Sequence, residues 1–297
     1  MSTKHFIEPT PAERWRKYLT DYNEGLGLVY ERLMLNDFLE ALRVKHRIAT
    51  ALEAPIYGMA GVSGINSVLL ARNGAAVTLV DDNAERLEGI RRIWGELGLD
   101  ATFCLQTPIA KLPFPNHSFD LAWNWAALWY LTDPEKLIAE MTRVSRQLIF
   151  IAMPNRAQVG YLMRKYILEK DFTRYVDEAW ADIGRVKNIL RARDCQIIDE
   201  GVLDVPPWPD TVMPAAQVLR RLGIQSKEMQ ARFEGDGWQW SSMDYYLGKK
   251  PTLKAQMDKY AFLERAPLPW QIKSVWAHHR YVVARKNQAK PSAPFKA

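Results

Sequence analysis

Three glycines and one acid carry the first chemical signal in this chain. Gly58, Gly61 and Gly64, in GMAGVSG, are spaced so that backbone can approach a ligand without interference from a Cβ. Asp81 closes the apolar run AAVTLVD and follows Gly64 at close to the roughly 20 residues expected for a carboxylate that accepts hydrogen bonds from a ribose diol. That pairing is the chemistry of a nucleotide-type cofactor, and taken alone it suits a nicotinamide as well as other adenosine-bearing groups. The stretch LPFPNHSFDLAWNWAALWYLTDP, Leu112 to Pro134, adds an apolar strand, a polar turn and an aromatic-rich helix start beside the same place. Its Asn124, Trp125, Trp129 and Tyr130 are the side chains expected nearest a substrate.

The elements that must position these residues follow from the hydrophobic pattern. Trp15 to about Arg47 carries apolar residues at helical spacing and predicts two or so helices ahead of the main sheet. ATALEAPIY predicts a strand ending near Glu53, INSVLLARNG a helix closed by Gly74, and AAVTLVD a buried strand ending in Asp81. NAERLEGIRRIWGELGL follows as a helix with Leu87, Ile90, Trp94 and Leu97 facing inward, then ATFCLQ as a third strand. FDLAWN is the fourth strand. After Thr132 comes a helix with Leu137, Ile138, Met141 and Val144 on one stripe, and Tyr130 is placed at its start. QLIFIAMP is the fifth strand, a long helical stretch runs to about Arg193, CQIIDEGVLDV is the sixth strand, and HHRYVVARK, from His278, is the last.

Strands alternating with helices imply a parallel sheet with right-handed crossovers, covered on both faces. The expected class is therefore α/β: a doubly wound, mostly parallel seven-stranded sheet with an antiparallel last strand. The expected divisions are an N-terminal helical segment (1–47), the core (48–205), a helical insertion or lid (206–275), the final core strand (276–286) and a disordered tail (287–297). The insertion is inferred because structureless loops of such length are uncommon in compact domains.

Composition narrows the classes. The 297 residues are 48% hydrophobic and 25% charged, ordinary for a globular protein. No apolar run approaches the roughly 20 residues that cross a bilayer, and MSTKHFIEPTPAERWRKY lacks the apolar stretch of a secretory signal, so a cytoplasmic protein is expected. Cys104 and Cys195 have no Cys or His partner at metal-ligand spacing, so no disulfide framework and no metal site are expected. The net charge of +6 permits acidic partners, but the basic residues are interleaved with acids, and no nucleic-acid-binding signature is present.

GMAGVSGINSVLLARNGAAVTLVD followed by LPFPNHSFDLAWNWAALWYLTDPEKLIAEMTRVSR resembles the class I S-adenosylmethionine-dependent methyltransferases, in particular the type 11 small-molecule group with its Rossmann-like core. The resemblance covers about Ala49 to Pro154. It implies that S-adenosyl-L-methionine is the cofactor, with Glu53, Gly58, Gly61 and Gly64 on its methionine part. It further implies Asp81 on the ribose hydroxyls, Asp82 and Asn83 beside the adenine, and Asn124 facing the methyl group and substrate. Tyr30, in LVYERL, would fold over the cofactor as N-terminal helices do in similar enzymes, or pack as an ordinary helix residue. The chain departs from the family pattern twice. Its acid-to-glycine loop, EAPIYGMAGVSG, is about five residues longer, and Pro108 stands where an adenine-binding Asp is common, leaving Gln106, Thr107 or backbone carbonyls as substitutes.

Methyl transfer from a sulfonium is an in-line displacement, so the protein mainly aligns nucleophile, methyl and sulfur, and needs a base only for a protonated nucleophile. Tyr130 is the first candidate for that base and His117 a weaker one, better explained as a turn residue. Trp238, Trp240, Tyr245 and Tyr246 form either an aromatic wall for substrate or a small helical core. VPPW, Val205 to Trp208, follows strand six and not strand four, so it does not serve as a nucleic-acid methyltransferase motif. His278 and His279, adjacent on a strand, are expected to point to opposite faces and to form no dyad. The leading expectation is a methyltransferase acting on a small molecule. The alternatives are a catalytically inactive cofactor-binding or scaffold protein of the same fold, and a nicotinamide-dependent oxidoreductase, which lacks any hydride-transfer constellation here.

Overall fold

The computed structural model describes residues 11–58, 61–168, 172–208 and 239–287. Seven strands form one sheet in the order β3-β2-β1-β4-β5-β7-β6. They are β1 (Thr50–Glu53), β2 (Ala76–Asp81), β3 (Thr102–Leu105), β4 (Phe119–Trp125), β5 (Ser145–Pro154), β6 (Cys195–Leu203) and β7 (His279–Lys286). β1 to β5 pair in parallel, and β7 lies antiparallel between β5 and β6, which is the expected class. The chain order reverses beside β1, so the carboxyl ends of β1, β2 and β4 flank the crevice where ligands bind in open α/β sheets.

Side-chain alternation divides the core between the two faces of the sheet. Ala51, Leu121, Trp123 and Phe150 join the cluster on one face, with Leu35 and Leu39 of α2 (Leu26–His46) and Ile90 and Trp94 of α4 (Ala84–Glu96). Leu52, Ala122, Ile149 and Ile151 join the other cluster, with Leu137, Ile138 and Met141 of α5 (Pro134–Val144) and Val186 and Leu190 of α7 (Ile183–Arg191). Every residue of β4 is buried, as a central strand covered on both faces requires. Asp120 is the polar exception that pins the sheet. Its Oδ2 accepts from the Ala49 and Thr50 amides, both at 2.9 Å, and its Oδ1 accepts from Arg146 at 2.6 Å, tying the start of β4 to those of β1 and β5.

Two expectations about local structure are corrected. Tyr130 belongs to a separate 3-10 turn, Leu128–Tyr130, and the following helix starts only at Pro134. Proline favours the first helical position and keeps the residue before it, Asp133, out of helical conformation. The stretch after Pro154 is likewise not one long helix. It is α6 (Val159–Met163), a π turn, two 3-10 turns and α7. Asp177 and Asp182 break the run, because their side chains accept from the amides of Ala179 and Gly184 and so begin new turns.

Before the sheet come α1 (Pro11–Tyr18) and α2, with α3 (Val68–Arg72) on the first crossover. Ahead of β7, four short helices, Ser242–Tyr246, Leu253–Asp258, Phe262–Arg265 and Trp270–Lys273, pack partly on α2. The middle of the expected insertion, 209–238, and the tail from 288 lie outside the described residues. No described helix is long and apolar enough to cross a membrane. Both cysteines are free thiols.

Candidate functional site

The acids that close β1 and β2 stand at adjacent strand ends. Glu53 is buried; Ser67 Oγ donates to it at 2.6 Å and Asn66 Nδ2 at 3.2 Å. Burial pushes its carboxyl up to about 7, against the pull of those two hydrogen bonds and of the Arg32 charge. Asn124, near the end of β4, donates to the Ala54 carbonyl at 3.3 Å and so spans the gap between β4 and the loop after β1. Its side-chain oxygen is buried and has no hydrogen-bond partner among the described residues. An unsatisfied buried acceptor is costly and calls for an explanation.

Asp81 is gripped by its own chain. Arg86 Nε and Nη2 each lie 2.6 Å from one of its oxygens, and the Asn83 amide donates to Oδ1 at 2.8 Å. The side chain is fully buried, and that burial raises its carboxyl pKa against the opposing hydrogen bonds of Arg86. Arg86 also reaches Asp82 at 3.2 Å and lies over the ring of Tyr57, 4.6 Å from its centroid, while the Tyr57 hydroxyl donates to Asp82 at 3.3 Å. Asn83 caps α4 by accepting from the Arg86 amide. Tyr57, from the extra length of the glycine loop, therefore sits with Arg86 over the acid that closes β2.

The three loop glycines contact the chain itself. Gly58 has φ +137°, and a Cβ there would overlap the Trp125 carbonyl oxygen at the end of β4. At Gly61, φ +94°, a Cβ would lie 2.6 Å from Glu24 Oε1; Gly64 abuts Ile90 of α4. Beneath the loop lies a buried ion pair, Glu24 with Arg32, at 2.5 Å and with neither side chain exposed. Glu24 also accepts from the amides of Val62 and Ser242, both at 3.1 Å, and Arg32 donates to the Val62 carbonyl at 3.0 Å and to Asn66. This network holds loop, α2 and the helix at Ser242 together.

The other sequence-derived candidates are more scattered. Tyr30 is fully buried, donates to the Val205 carbonyl at 3.4 Å and meets Trp208 edge-on. It packs with Leu33, Met34 and Met257. Thr107 is exposed past the end of β3, and Tyr130 is half-buried against Trp129. Tyr246 is buried and accepts from Asn36, and Trp240 and Tyr245 pack with the α2 cluster; Trp238 lies outside the described residues.

The two adjacent histidines do not diverge as expected. His278 Nδ1 lies 2.8 Å and His279 Nδ1 3.7 Å from the same oxygen of Asp204. The alternation argument fails because β7 begins at His279, leaving His278 in the preceding turn, and because Asp204 stands just beyond the paired end of β6. Sequence reasoning also missed Arg86, Tyr57, Glu24 and Arg32. Only Arg86, in the first turn of a helix that follows an acid-ended strand, had a local signal.

Comparison with known proteins agrees with this architecture. Residues 59–149 match the family described as a methyltransferase domain. Among curated proteins no sequence match is found. The magnesium protoporphyrin IX methyltransferase of Synechocystis, solved with bound S-adenosylhomocysteine, superposes with a TM-score of 0.56 at 12% identity, covering 95% of this chain and 97% of that one. A candidate sarcosine dimethylglycine methyltransferase from Galdieria sulphuraria gives 0.53 at 14% identity, covering 93% and 98%. At such identities the likeness is one of fold.

Proposed function

Since the chain carries a methyltransferase domain of the type 11 family at residues 59–149, whose cofactor is S-adenosyl-L-methionine, we propose that it moves a methyl group to a nucleophilic atom of a small molecule. The observation that carries the reading is the convergence of Glu53, Asp81 and the unsatisfied Asn124 oxygen at the carboxyl ends of three neighbouring strands. The donor set suits the cofactor in kind. Glu53 and the loop from Gly58 to Gly64 would hold its methionine part, Asp81 its ribose hydroxyls, and Asp82 and Asn83 would flank the adenine, with Thr107 at its margin. When bound, the cofactor supplies an electrophilic sulfonium methyl. The chain's own work is to orient the acceptor beside Asn124 and to exclude water, and alignment of this kind contributes up to roughly 7–11 kcal/mol in ideal cases. Tyr130 is the proposed proton acceptor for a protonated nucleophile, and Tyr30 would lie over the cofactor from α2.

Both oxygens of Asp81 are engaged by Arg86, so a diol would compete with the guanidinium for the acid. That same observation favours a second reading, a protein of this fold that has lost catalysis. Calorimetry with S-adenosylmethionine, S-adenosylhomocysteine and NAD separates the cases. The proposal expects binding of both sulfur compounds and none of NAD, and failure of both sulfur compounds to bind overturns it. Binding without consumption of S-adenosylmethionine across a panel of amine, hydroxyl, thiol and carbon acceptors supports the second reading.

A further inference from the structure

The geometry points to a site for one divalent transition-metal ion, formed by Glu31, Asp204 and His279 at the carboxyl edge of the sheet. The three come from elements far apart in sequence: α2, the turn after β6 and the first residue of β7. One donor atom from each lies within 4.8 Å of the other two, and all three residues are buried. Glu31 Oε1 is 3.7 Å from His279 Nε2, and Asp204 Oδ2 is 3.7 Å from His279 Nδ1. In a tetrahedral zinc site with metal–ligand distances of about 2.0–2.1 Å, ligand atoms stand about 3.3–3.5 Å apart. With a single imidazole nitrogen as ligand, the cluster, whose donor atoms lie within 4.8 Å of one another, has to close by up to about 1.5 Å to reach that spacing.

Three further observations separate this cluster from an ordinary buried polar group. Asp204 Oδ1 and His279 Nδ1 are buried and make no hydrogen bond among the described residues, although the Asp204 side chain is only 2% exposed. Among the described residues Glu31 and Asp204 form ion pairs with histidines alone, although the charge of Arg32 also acts on Glu31. Two carboxylates taken out of water without a paired lysine or arginine are balanced by taking up a proton or by binding a cation. The outer contacts are those that orient metal ligands: His278 Nδ1 lies 2.8 Å from Asp204 Oδ2, and Trp125 Nε1 donates to Glu31 at 2.6 Å. Asp204 moreover holds a left-handed backbone, φ +63°, that aims it back across the end of β6. One imidazole and two carboxylates suit Zn²⁺, Mn²⁺ or Fe²⁺ and not the all-oxygen preference of Ca²⁺ or Mg²⁺.

The test uses the full-length chain stripped with a chelator and titrated with Zn²⁺ by calorimetry, with Co²⁺ absorption as a second readout. One tight equivalent per chain is expected, with the intense visible bands of tetrahedral Co²⁺ displaced by Zn²⁺. Glu31→Gln, Asp204→Asn and His279→Gln should each weaken Zn²⁺ binding at least 100-fold, whereas His117→Gln, at a surface turn, should leave it unchanged. Should a variant fail to fold, the unsubstituted chain still decides: stoichiometric Zn²⁺ should raise its melting temperature. Absence of stoichiometric binding overturns the site, and so does binding indifferent to all three substitutions. Since no methyl donor is present in these measurements, their failure would leave the methyltransferase reading standing.

Discussion

Replacing Arg86 by methionine should tighten cofactor binding while weakening the fold. Arg86 grips both oxygens of Asp81 at 2.6 Å, and a ribose diol would compete for the same two oxygens. In the native protein we take the diol to compete with the guanidinium, and the affinity is then lowered by what that contact is worth. Hydrogen bonds to charged groups contribute about 1.5–3 kcal/mol. At about 1.4 kcal/mol per factor of ten, removing the competitor tightens binding of S-adenosylhomocysteine by roughly 10- to 100-fold. The ligand-free protein should lose stability, because breaking a buried pair by removing one partner costs about 3–5 kcal/mol. The loss falls toward the lower end because burial already raises the Asp81 carboxyl pKa, so the unpaired acid can take up a proton. Methionine keeps an unbranched chain of similar reach between Tyr57 and Trp15, the two rings Arg86 now lies over. The two effects have opposite signs and separate cleanly: urea unfolding reads the stability, and calorimetry under conditions where both proteins are folded reads the affinity. Adding Asp81→Asn to the variant should erase the gain. An affinity that is unchanged or weaker in folded Arg86→Met would refute the competition, and with it the placement of a diol on Asp81.

Three further outcomes are expected. Arg32→Met leaves Glu24 buried without its counter-ion and should destabilise the chain by about 3–5 kcal/mol in urea unfolding, with Glu24→Gln in the same chain recovering part of it; a loss below about 1 kcal/mol would show that the pair contributes little to holding the loop. Glu53 carries a carboxyl raised by burial from its ordinary 4.5 to about 7, so the native state binds its proton more tightly than the unfolded state does. Its contribution to stability is then complete below pH 4.5 and lost as the pH rises through about 7, a change of roughly 3 kcal/mol that Glu53→Gln should flatten; identical stability–pH curves for the two proteins would contradict it. Gly58→Ala puts a Cβ onto the Trp125 carbonyl at a left-handed φ, and should lower stability by about 1–3 kcal/mol from overpacking, with a further ~1–3 kcal/mol from backbone strain. An alanine variant with native melting temperature would mean that the loop does not rest on β4.

What was legible in the sequence was what depends on short-range pattern. The β2 run AVTLVD and the β4 run FDLAWNW are apolar and bounded by turn residues, so their burial and the positions of Asp81 and Asn124 at their ends followed from period and length. The doubly wound, mostly parallel class of the sheet followed too, since alternation of strands and helices with right-handed crossovers leaves few arrangements. The helix starts were harder. Pro134 and the capping aspartates Asp177 and Asp182 were visible, but whether such residues interrupt a helical run or sit at its edge depends on competition between local hydrogen bonds and packing.

The partners of the site residues lay beyond that reach, and the reason is physical. A carboxylate at a strand end announces that something positive or hydrogen-bonding will meet it, and sequence supports a ligand or a side chain equally well. Asp81 meets Arg86, five residues on, and Glu24 meets Arg32, eight residues on, across a helix start. Glu31, Asp204 and His279 are drawn from more than 240 positions of chain and meet only because β7 inserts antiparallel between β5 and β6. That insertion sets the first residue of β7 beside the last residues of β5 and β6, pairing His279 with both Pro154 and Leu203. The antiparallel strand thus places imidazoles at the edge where parallel strands present their carboxyl ends, and the sheet order that creates the cofactor crevice at β1 also creates the acid–histidine cluster at β7.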